Sequence, residues 1–361
     1  KKNTKNFTIK FTENKIFKMK KIFFISILFA FFSCKKGEDF SLQNYHSFAS
    51  KEDQYSGGIK MIPIKTPKGT FNVWTKRFGN NPKIKVLLLH GGPGLTHELY
   101  ESFEGYLPKE GIEFIYYDQL GSYYSDQPKD KSLWTNERFV EEVEQVRIAL
   151  GLNKDNFYVL GQSWGGILAM DYALKYQKNL KGLIISNMVS SIPSYNKYAQ
   201  EVLGPQMKKE VYNEIMQLEK NNDFGNPRYT ELLFEHYYTE HILRKPQKDW
   251  PESITRCFKH INSEVYISMQ GYSEFGITGD AYIKNWDVSK RLKELTVPTL
   301  TIGSKYDTMD PEHMKWMATQ VQNGRFLFCK NGSHLSQYDD QETYFTGLIK
   351  FLKDVDEKKF K

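Results

Sequence analysis

The chain has 361 residues, is 40% hydrophobic and 15% aromatic, and contains only 3 cysteines. This length suits two domains or one α/β core with a large insertion, and the apolar content excludes a disordered chain. Three cysteines cannot form a scaffold that is held together by disulfides, so an ordinary globular fold is expected.

The net charge of +7 is concentrated at the N-terminus. Residues 1–33 hold eight lysines and one acidic residue, Glu13, and the rest of the chain has 42 basic and 42 acidic residues. A neutral body presents no electrostatic footprint for a phosphate backbone. No nucleic-acid partner is therefore expected.

Residues 1–34 have the pattern of an export leader. Met19, the expected start of translation, is followed by two lysines and by the mostly apolar run 22–32. Such a run is typical of a secretory signal peptide and is too short for a comfortable permanent membrane span. Cys34 directly follows Ser33, which resembles the lipobox of bacterial lipoproteins, where that cysteine carries the lipid. The alternative is a plain cleaved signal peptide with an incidental thiol.

Both alternatives imply export to the periplasm or the cell envelope. Residues 35–58 are rich in Lys, Ser, Gln and Gly, which is typical of a tether. Lipid on Cys34 is the expected membrane attachment, because the sequence of the folded body contains no further segment that is apolar enough to span a bilayer.

From residue 59 onward, short apolar runs bounded by turn residues alternate with stretches of helical spacing. This alternation predicts βαβ units and a mostly parallel sheet whose strands are covered on both faces. The predicted strands are residues 86–89, 114–117, 157–160, 183–185 and 299–302. Apolar residues at helical spacing over residues 139–150 and 345–352 predict amphipathic helices that cover this sheet.

The strand pattern stops at about residue 190 and returns at about residue 296. The intervening sequence is helical, aromatic and charged, which favours an inserted cap. The expected organisation is one α/β core in two parts, residues 59–189 and 296–361, with a helical cap over residues 190–295.

A Gly-x-Ser-x-Gly sequence, residues 161–165, lies between the predicted strand 157–160 and a helix that begins near Gly166. A serine at such a strand-to-helix turn has strained backbone angles, and the flanking glycines prevent collisions. Its hydroxyl projects above the sheet at a helix N-terminus, where negative charge is favoured. Ser163 is therefore the predicted nucleophile. The alternative is a solvated serine in an ordinary glycine-rich turn.

A serine nucleophile needs a base that is oriented by a carboxylate. In hydrolases with this turn, the chain order is Ser, acid, His. Asp307 comes soon after the strand 299–302, and His334 follows the strand-like residues 325–329 on a loop before the last helix. Asp307 is the predicted acid and His334 the predicted base, whereas Asp310 is expected to cap the following helix.

Backbone N–H donors are also required to hold the oxyanion of a tetrahedral intermediate. Residues 90–94, His-Gly-Gly-Pro-Gly, directly follow the predicted strand 86–89 and allow the backbone to approach a substrate carbonyl. The N–H groups of Gly92 and Trp164 are assigned to this oxyanion hole. The sequence contains no metal-binding or nucleotide-binding motif, so neither a metal nor a cofactor is expected.

These motifs resemble those of the proline iminopeptidases, a family of serine peptidases with the α/β-hydrolase fold, across residues 59–356. The segments that carry the resemblance are residues 90–94, 118–122, 161–166, 271–275, 307–311 and 332–335. The resemblance implies an α/β-hydrolase core with an inserted helical lid. It also implies release of a free N-terminal residue, often proline, from short peptides, and it matches Glu240 and Glu274 of the cap to the glutamates that bind the substrate's α-amine.

The sequence thus predicts a serine exopeptidase whose partners are short peptides with a free N-terminus. A buried ammonium group needs carboxylates beside it, which is the physical requirement that Glu240 and Glu274 are expected to meet. An esterase or amidase would use the same nucleophile without amine recognition. A non-catalytic surface lipoprotein that binds small ligands is the alternative from another class.

Overall fold

A computed structural model describes residues 58–277 and 279–360. The predicted leader, including Cys34, lies outside the described residues, as does the predicted tether up to residue 57. Among the described residues, no helix combines the length and the apolar character needed to cross a lipid bilayer.

The described chain contains one sheet of eight strands. The strands are β1 (Ile59–Thr66), β2 (Gly69–Phe78), β3 (Lys85–Leu89), β4 (Glu113–Asp118), β5 (Phe157–Gln162), β6 (Gly182–Ser186), β7 (Thr299–Ser304) and β8 (Gly324–Cys329). Their order across the sheet is β1-β2-β4-β3-β5-β6-β7-β8. The pairs β1–β2 and β2–β4 are antiparallel, and the other neighbours are parallel. The mostly parallel sheet is as predicted, and the hairpin of β1 and β2 adds an antiparallel edge to it.

The two faces of the sheet are set by the alternation of side chains along each strand. In β3, Leu87 and Leu89 belong to one hydrophobic cluster, whereas Val86 and Leu88 belong to another. All four side chains are fully buried. A strand that is buried on both faces has a continuous apolar sequence, which explains why these strands could be predicted.

Eleven α-helices accompany the sheet within the described ranges. They are α1 (Asn136–Ala149), α2 (Trp164–Tyr176), α3 (Ile192–Tyr198), α4 (Lys209–Lys220), α5 (Pro227–Leu233), α6 (Thr239–His241), α7 (Glu252–Lys259), α8 (Ser263–Met269), α9 (Pro311–Gln320), α10 (Ser336–Asp339) and α11 (Gln341–Asp356). Helix α1 starts where the Thr135 side chain accepts the Arg138 N–H, and it ends before Gly151, which has φ 66°. Helices α1 and α2 pack on the face that contains Leu87, and α11 packs on the other face.

Helices α3 to α8 lie between β6 and β7 and form the cap. Buried cap residues such as Tyr229, Leu232 and Ile254 share one hydrophobic cluster with Leu99 and Phe345 of the core. The cap is therefore packed on the core through apolar contacts. The predicted α/β core with an inserted helical cap is confirmed.

Candidate active site

Ser163 lies at the turn between β5 and α2. Its backbone angles are φ 57° and ψ −132°, a conformation that residues with a side chain rarely adopt. A Cβ atom at Gly161 would lie 1.9 Å from the Gly165 carbonyl oxygen, and one at Gly165 would lie 1.9 Å from the Leu89 carbonyl oxygen. The two glycines therefore permit the sharp turn that holds Ser163 at the N-terminus of α2.

Asp307 and His334 are hydrogen bonded, with 2.7 Å between Asp307 Oδ1 and His334 Nδ1. Asp307 follows β7 and is fully buried, and His334 lies on the loop after β8. Asn187 Nδ2 and the Met309 N–H also donate to the carboxylate, over 2.8 and 3.1 Å. These donors hold the carboxylate in one orientation toward the imidazole. Asp310 instead caps the N-terminus of α9.

The environment of His334 favours a base that becomes charged during a reaction. Burial disfavours the charged imidazole, but the charge and hydrogen bond of Asp307, with a further contribution from Glu274, raise the pKa of His334 above its ordinary value. Because Nδ1 donates to Asp307, Nε2 is the nitrogen that is available to accept a proton.

Ser163 and His334 line the same cavity of about 350 Å³. Gln162 Nε2 donates to the His334 carbonyl oxygen over 3.0 Å, which ties the residue before Ser163 to the loop of His334. The structure thus brings Ser163, Asp307 and His334 to the edge of the sheet where parallel strands direct their carboxyl ends. Much of the cavity wall is apolar and includes Leu95, Leu99, Leu233, Phe234, Ile242, Phe258, Ile261, Ile267 and Leu335.

The predicted oxyanion donors lie beside this cavity. Gly92 lines it and has φ 106°. Trp164 is the first residue of α2, so its N–H has no acceptor within the helix. A Cβ atom at Gly91 would lie 2.7 Å from the Ser163 Cβ, so the glycine loop approaches the nucleophile closely.

His90 contacts this loop through its buried imidazole ring. Burial lowers its pKa to about 4, so the ring is neutral at neutral pH. Its Nδ1 donates to the Gly91 carbonyl oxygen over 3.0 Å, and its Nε2 accepts the Gln119 N–H over 3.2 Å. Both ring nitrogens are therefore bound to backbone groups, one within the glycine loop and one directly after β4.

Glu274 extends from the cap to the same cavity. Its Oε1 accepts the Tyr266 hydroxyl over 2.6 Å, and its Oε2 accepts Gln270 Nε2 over 3.3 Å. The backbone is held as well, because the Glu274 N–H donates to the Tyr238 hydroxyl and the Tyr195 hydroxyl donates to the Glu274 carbonyl oxygen. The carboxylate is thus oriented by the protein itself.

Burial raises the pKa of Glu274 above the ordinary value of a glutamate, although the charge of His334 and the Tyr266 hydrogen bond act in the opposite direction. A desolvated carboxylate is most stable with a cation beside it. Within the cavity lining that the structure describes, Glu274 is the only carboxylate. The cavity is therefore suited to accept one positive charge on its cap side.

The structure does not bring Glu240 into this cavity, which corrects its assignment to amine binding. The Glu240 side chain is 57% exposed and lies 3.5 Å from Arg244 on the cap surface. The helix changes just before it, because residues Phe234–Tyr238 form a π-helical segment ahead of α6. A π segment rotates the side chains that follow it, so the position in the sequence does not reveal the face on which Glu240 lies.

Three further side chains organise the site and are not among the residues predicted from the sequence: Asn187, Thr308 and Tyr266. Asn187 has φ 52° and directly follows β6, and a polar residue after a buried strand was the available signal. Thr308 Oγ1 lies 3.3 Å from His334 Nδ1 and 3.4 Å from Asp307 Oδ1. Tyr266 lies in a cap helix, where no comparable signal exists.

Metal ligands do not converge in the described part of the chain. Within residues 58–277 and 279–360, no group of three or more His, Cys, Asp and Glu side chains is arranged as a metal site. Cys257 and Cys329, the cysteines of these ranges, are free and buried. Burial raises the pKa of each thiol to about 12, so neither is a reactive thiolate at neutral pH.

The class of the protein follows from the sheet, the cap and the strand-to-helix serine. A family model described as the alpha/beta hydrolase fold matches residues 85–341, which include most of the core and the cap. A proline iminopeptidase of Elizabethkingia meningoseptica is 61% identical over 300 residues, which are 83% of this chain and 100% of that protein. A proline iminopeptidase of Flavobacterium johnsoniae is 60% identical over 299 residues, which are 83% of this chain and 99% of that protein.

A solved structure is also similar. The crystal structure of the proline iminopeptidase of Mycobacterium smegmatis has a TM-score of 0.73 at 25% identity, and the match covers 83% of this chain and 99% of that one. The fold agrees with the α/β-hydrolase class, and the identity to the two relatives shows the family. The chain belongs to the proline iminopeptidase family.

Proposed function

We propose that this chain is a serine exopeptidase that releases the N-terminal residue, preferably proline, from short peptides. The observation that carries the proposal is the buried carboxylate of Glu274, which lines the same cavity as Ser163 and His334. The protonated N-terminus of a peptide is a cation that such a carboxylate accepts. The names of the similar relatives support the preference for proline.

In the first step, Ser163 Oγ attacks the carbonyl carbon of the N-terminal residue while His334 Nε2 takes the hydroxyl proton. Asp307 accepts the hydrogen bond of His334 Nδ1 and stabilises the imidazolium that forms. The N–H groups of Gly92 and Trp164 hold the oxyanion, and loss of one such donor costs about 3 kcal/mol.

The intermediate collapses when His334 returns the proton to the amine nitrogen of the departing peptide. The peptide leaves one residue shorter, and its former first residue remains as an ester on Ser163. His334 then takes a proton from a water molecule whose oxygen attacks the ester carbonyl, and it returns that proton to Ser163 Oγ as the free amino acid leaves. Glu274 binds the α-amine throughout, so substrates without a free N-terminus lose this contact.

The size and polarity of the cavity support a short substrate with an apolar first residue. The cavity has a volume of about 350 Å³ and lies beneath the cap, where side chains such as Leu233, Phe234 and Ile267 form its wall. Apolar walls with a few polar groups are typical of sites that fix a small ligand in one orientation. A pyrrolidine ring suits these walls, while its nitrogen carries the charge for Glu274.

Hydrolysis of Pro-β-naphthylamide and of its N-acetylated form tests the proposal. We expect kcat/KM to be about a hundredfold higher for the free amine, because a buried charge without its partner costs about 3 kcal/mol. Ser163→Ala should abolish hydrolysis and labelling by a fluorophosphonate probe. Equal turnover of the two substrates would favour an esterase or amidase. Absence of probe on Ser163 in the unmodified chain would favour a non-catalytic binding protein.

We also propose that the chain is exported and anchored through lipid on Cys34. The pattern of residues 1–34 supports export, and the Ser33–Cys34 sequence supports lipidation. Two or more acyl chains on this cysteine would give stable membrane attachment. Mass spectrometry of the full-length chain expressed in a lipoprotein-processing bacterium should find acylated Cys34, and Cys34→Ser should move the protein out of the membrane fraction. An unmodified Cys34 in the exported protein would contradict the lipid anchor.

A further inference from the structure

Residues 241–244 of the cap, here called the strap, contact the loops that carry the acid and the base. The His334 N–H donates to the His241 carbonyl oxygen over 2.9 Å. The next N–H, that of Leu335, donates to the Ile242 carbonyl oxygen, also over 2.9 Å. Two consecutive backbone hydrogen bonds therefore hold the loop of the base against the cap.

The His241 side chain reaches the loop of the acid. Its Nδ1 donates over 2.9 Å to the carbonyl oxygen of Tyr306, the residue before Asp307. The ring is buried beside Tyr237, with 4.9 Å between the ring centroids. Burial lowers the pKa of His241, so the ring is neutral at neutral pH, with its proton on Nδ1. One residue thus contacts the base through its backbone and the neighbour of the acid through its side chain.

The other end of the strap makes similar contacts. The Arg244 N–H donates to Asp339 Oδ2 over 3.2 Å, and Asp339 Oδ1 accepts the Ser333 N–H over 3.0 Å. The Arg244 guanidinium also lies 3.7 Å from the centroid of the Tyr306 ring. Both ends of the strap therefore join the loop of the acid to the loop of the base.

We propose that His241 is a positioning residue for the Asp307–His334 pair, so that the cap sets the geometry of the pair as well as covering the cavity. The proposal rests on the proposed hydrolytic function of Ser163. An acid–base pair acts only in a narrow geometry, and a displacement of about 1 Å costs about 100-fold in rate. Loss of the His241 imidazole removes the donor that anchors Tyr306, and with it a constraint on the orientation of Asp307.

Two substitutions separate the donor of His241 from its volume. His241→Asn keeps an N–H donor near the position of Nδ1, whereas His241→Leu keeps a similar volume without a donor. His241→Leu should lower kcat for Pro-β-naphthylamide by about 10- to 100-fold, with KM changed by less than about threefold. His241→Asn should keep kcat within about threefold of the value for the unmodified chain. His236→Leu, at a partly exposed histidine of the same cap, is the matched control and should leave both constants unchanged.

The rate at which a fluorophosphonate labels Ser163 gives a second readout, because labelling needs the acid–base pair but no peptide. His241→Leu should slow labelling by the same factor as kcat. The unmodified chain could be labelled and yet fail to hydrolyse Pro-β-naphthylamide, which would reject the exopeptidase function. Slower labelling of His241→Leu would in that case still support the positioning role. Unchanged kcat and labelling in His241→Leu, or equal losses in the Leu and Asn variants, would overturn the positioning role.

Discussion

The Glu274 carboxylate and the Ser163 hydroxyl line one cavity, although the cap supplies the first and the turn between β5 and α2 supplies the second. Neither part of the chain forms this site alone. Tyr266 and Gln270 fix the Glu274 carboxylate through hydrogen bonds within the cap. Substrate binding therefore requires little further ordering of this side chain. In the proposed function, the core therefore provides the nucleophile, and the cap provides the carboxylate that selects a cationic substrate.

Glu274→Gln should lower kcat/KM for Pro-β-naphthylamide by about 100-fold or more, because an unpaired buried ammonium costs about 3–5 kcal/mol. Glutamine keeps the size of the side chain and an acceptor for Tyr266. The N-acetylated substrate carries no charge and should lose less than about threefold.

Glu240→Gln makes the same chemical change at an exposed position of the cap. It should leave kcat/KM for both substrates within about twofold, because solvent already screens that charge. Similar losses in the two variants would show that the cap responds to any lost carboxylate, and amine binding at Glu274 would be rejected.

The pH dependence of Ser163 labelling should report the Asp307–His334 pair. Burial opposes the charged form of His334, but Asp307 raises its pKa above the ordinary 6.5. His334 must be neutral to take a proton, so labelling should slow as the pH falls through this raised pKa. Asp307→Asn should reduce the rate about 10⁴-fold and move the remaining acid limb to lower pH.

Asp310→Asn is the control for this experiment. Asp310 caps α9 by accepting the Glu312 N–H over 2.9 Å, and asparagine caps helices equally well. The rate and the acid limb should therefore match those of the unmodified chain. An acid limb that stays in place in Asp307→Asn would mean that another group controls the titration.

The three residues proposed as nucleophile, acid and base could be located from the sequence because each follows a strand. Ser163, Asp307 and His334 come after β5, β7 and β8, and parallel strands bring their carboxyl ends to one edge of the sheet. The apolar runs that mark central strands can be read directly because both faces are buried. The strands β1 and β2 lie toward the sheet edge, include exposed side chains, and give no such run.

The cap side chains could not be predicted in this way. No strand end fixes their direction, and the π-helical segment Phe234–Tyr238 changes the helical register ahead of Glu240. His241, which follows this segment, contacts the loops that carry Asp307 and His334. These contacts join residues that are far apart in the sequence. Glu274 is identified from the sequence only by resemblance, since its hydrogen bond with Tyr266 depends on how α8 packs against the following loop.

Gly161→Ala should destabilise the fold by about 3 kcal/mol or more, because the new methyl group collides with the backbone of Gly165. Thermal unfolding measures the loss, and Ser163 labelling should fall with it because the turn must open. Gly105→Ala is the matched control: a Cβ atom there meets nothing within 4 Å. Its effect should stay within about 1 kcal/mol. Equal melting temperatures for the two variants would contradict the close packing of the turn.

Asp171 should make the stability of the fold depend on pH. Its carboxylate lies in α2 and accepts hydrogen bonds from Trp286 Nε1 and Asn136 Nδ2, each over 3.0 Å. Burial raises its pKa from 3.8 to about 6 despite these donors. The folded chain therefore binds more protons than the unfolded chain between these two values, and the contribution of Asp171 to stability falls as the pH rises through this window.

Asp171→Asn removes this titration. The free energy of unfolding of the variant, measured relative to the unmodified chain, should therefore rise by about 1–3 kcal/mol between pH 4 and pH 7.5. Comparing the change with pH cancels the constant effect of the altered hydrogen bonds. Asp280→Asn removes one negative charge from an exposed turn and serves as the control. A rise of the same size in that variant would trace the effect to net charge and would reject burial of Asp171 as its cause.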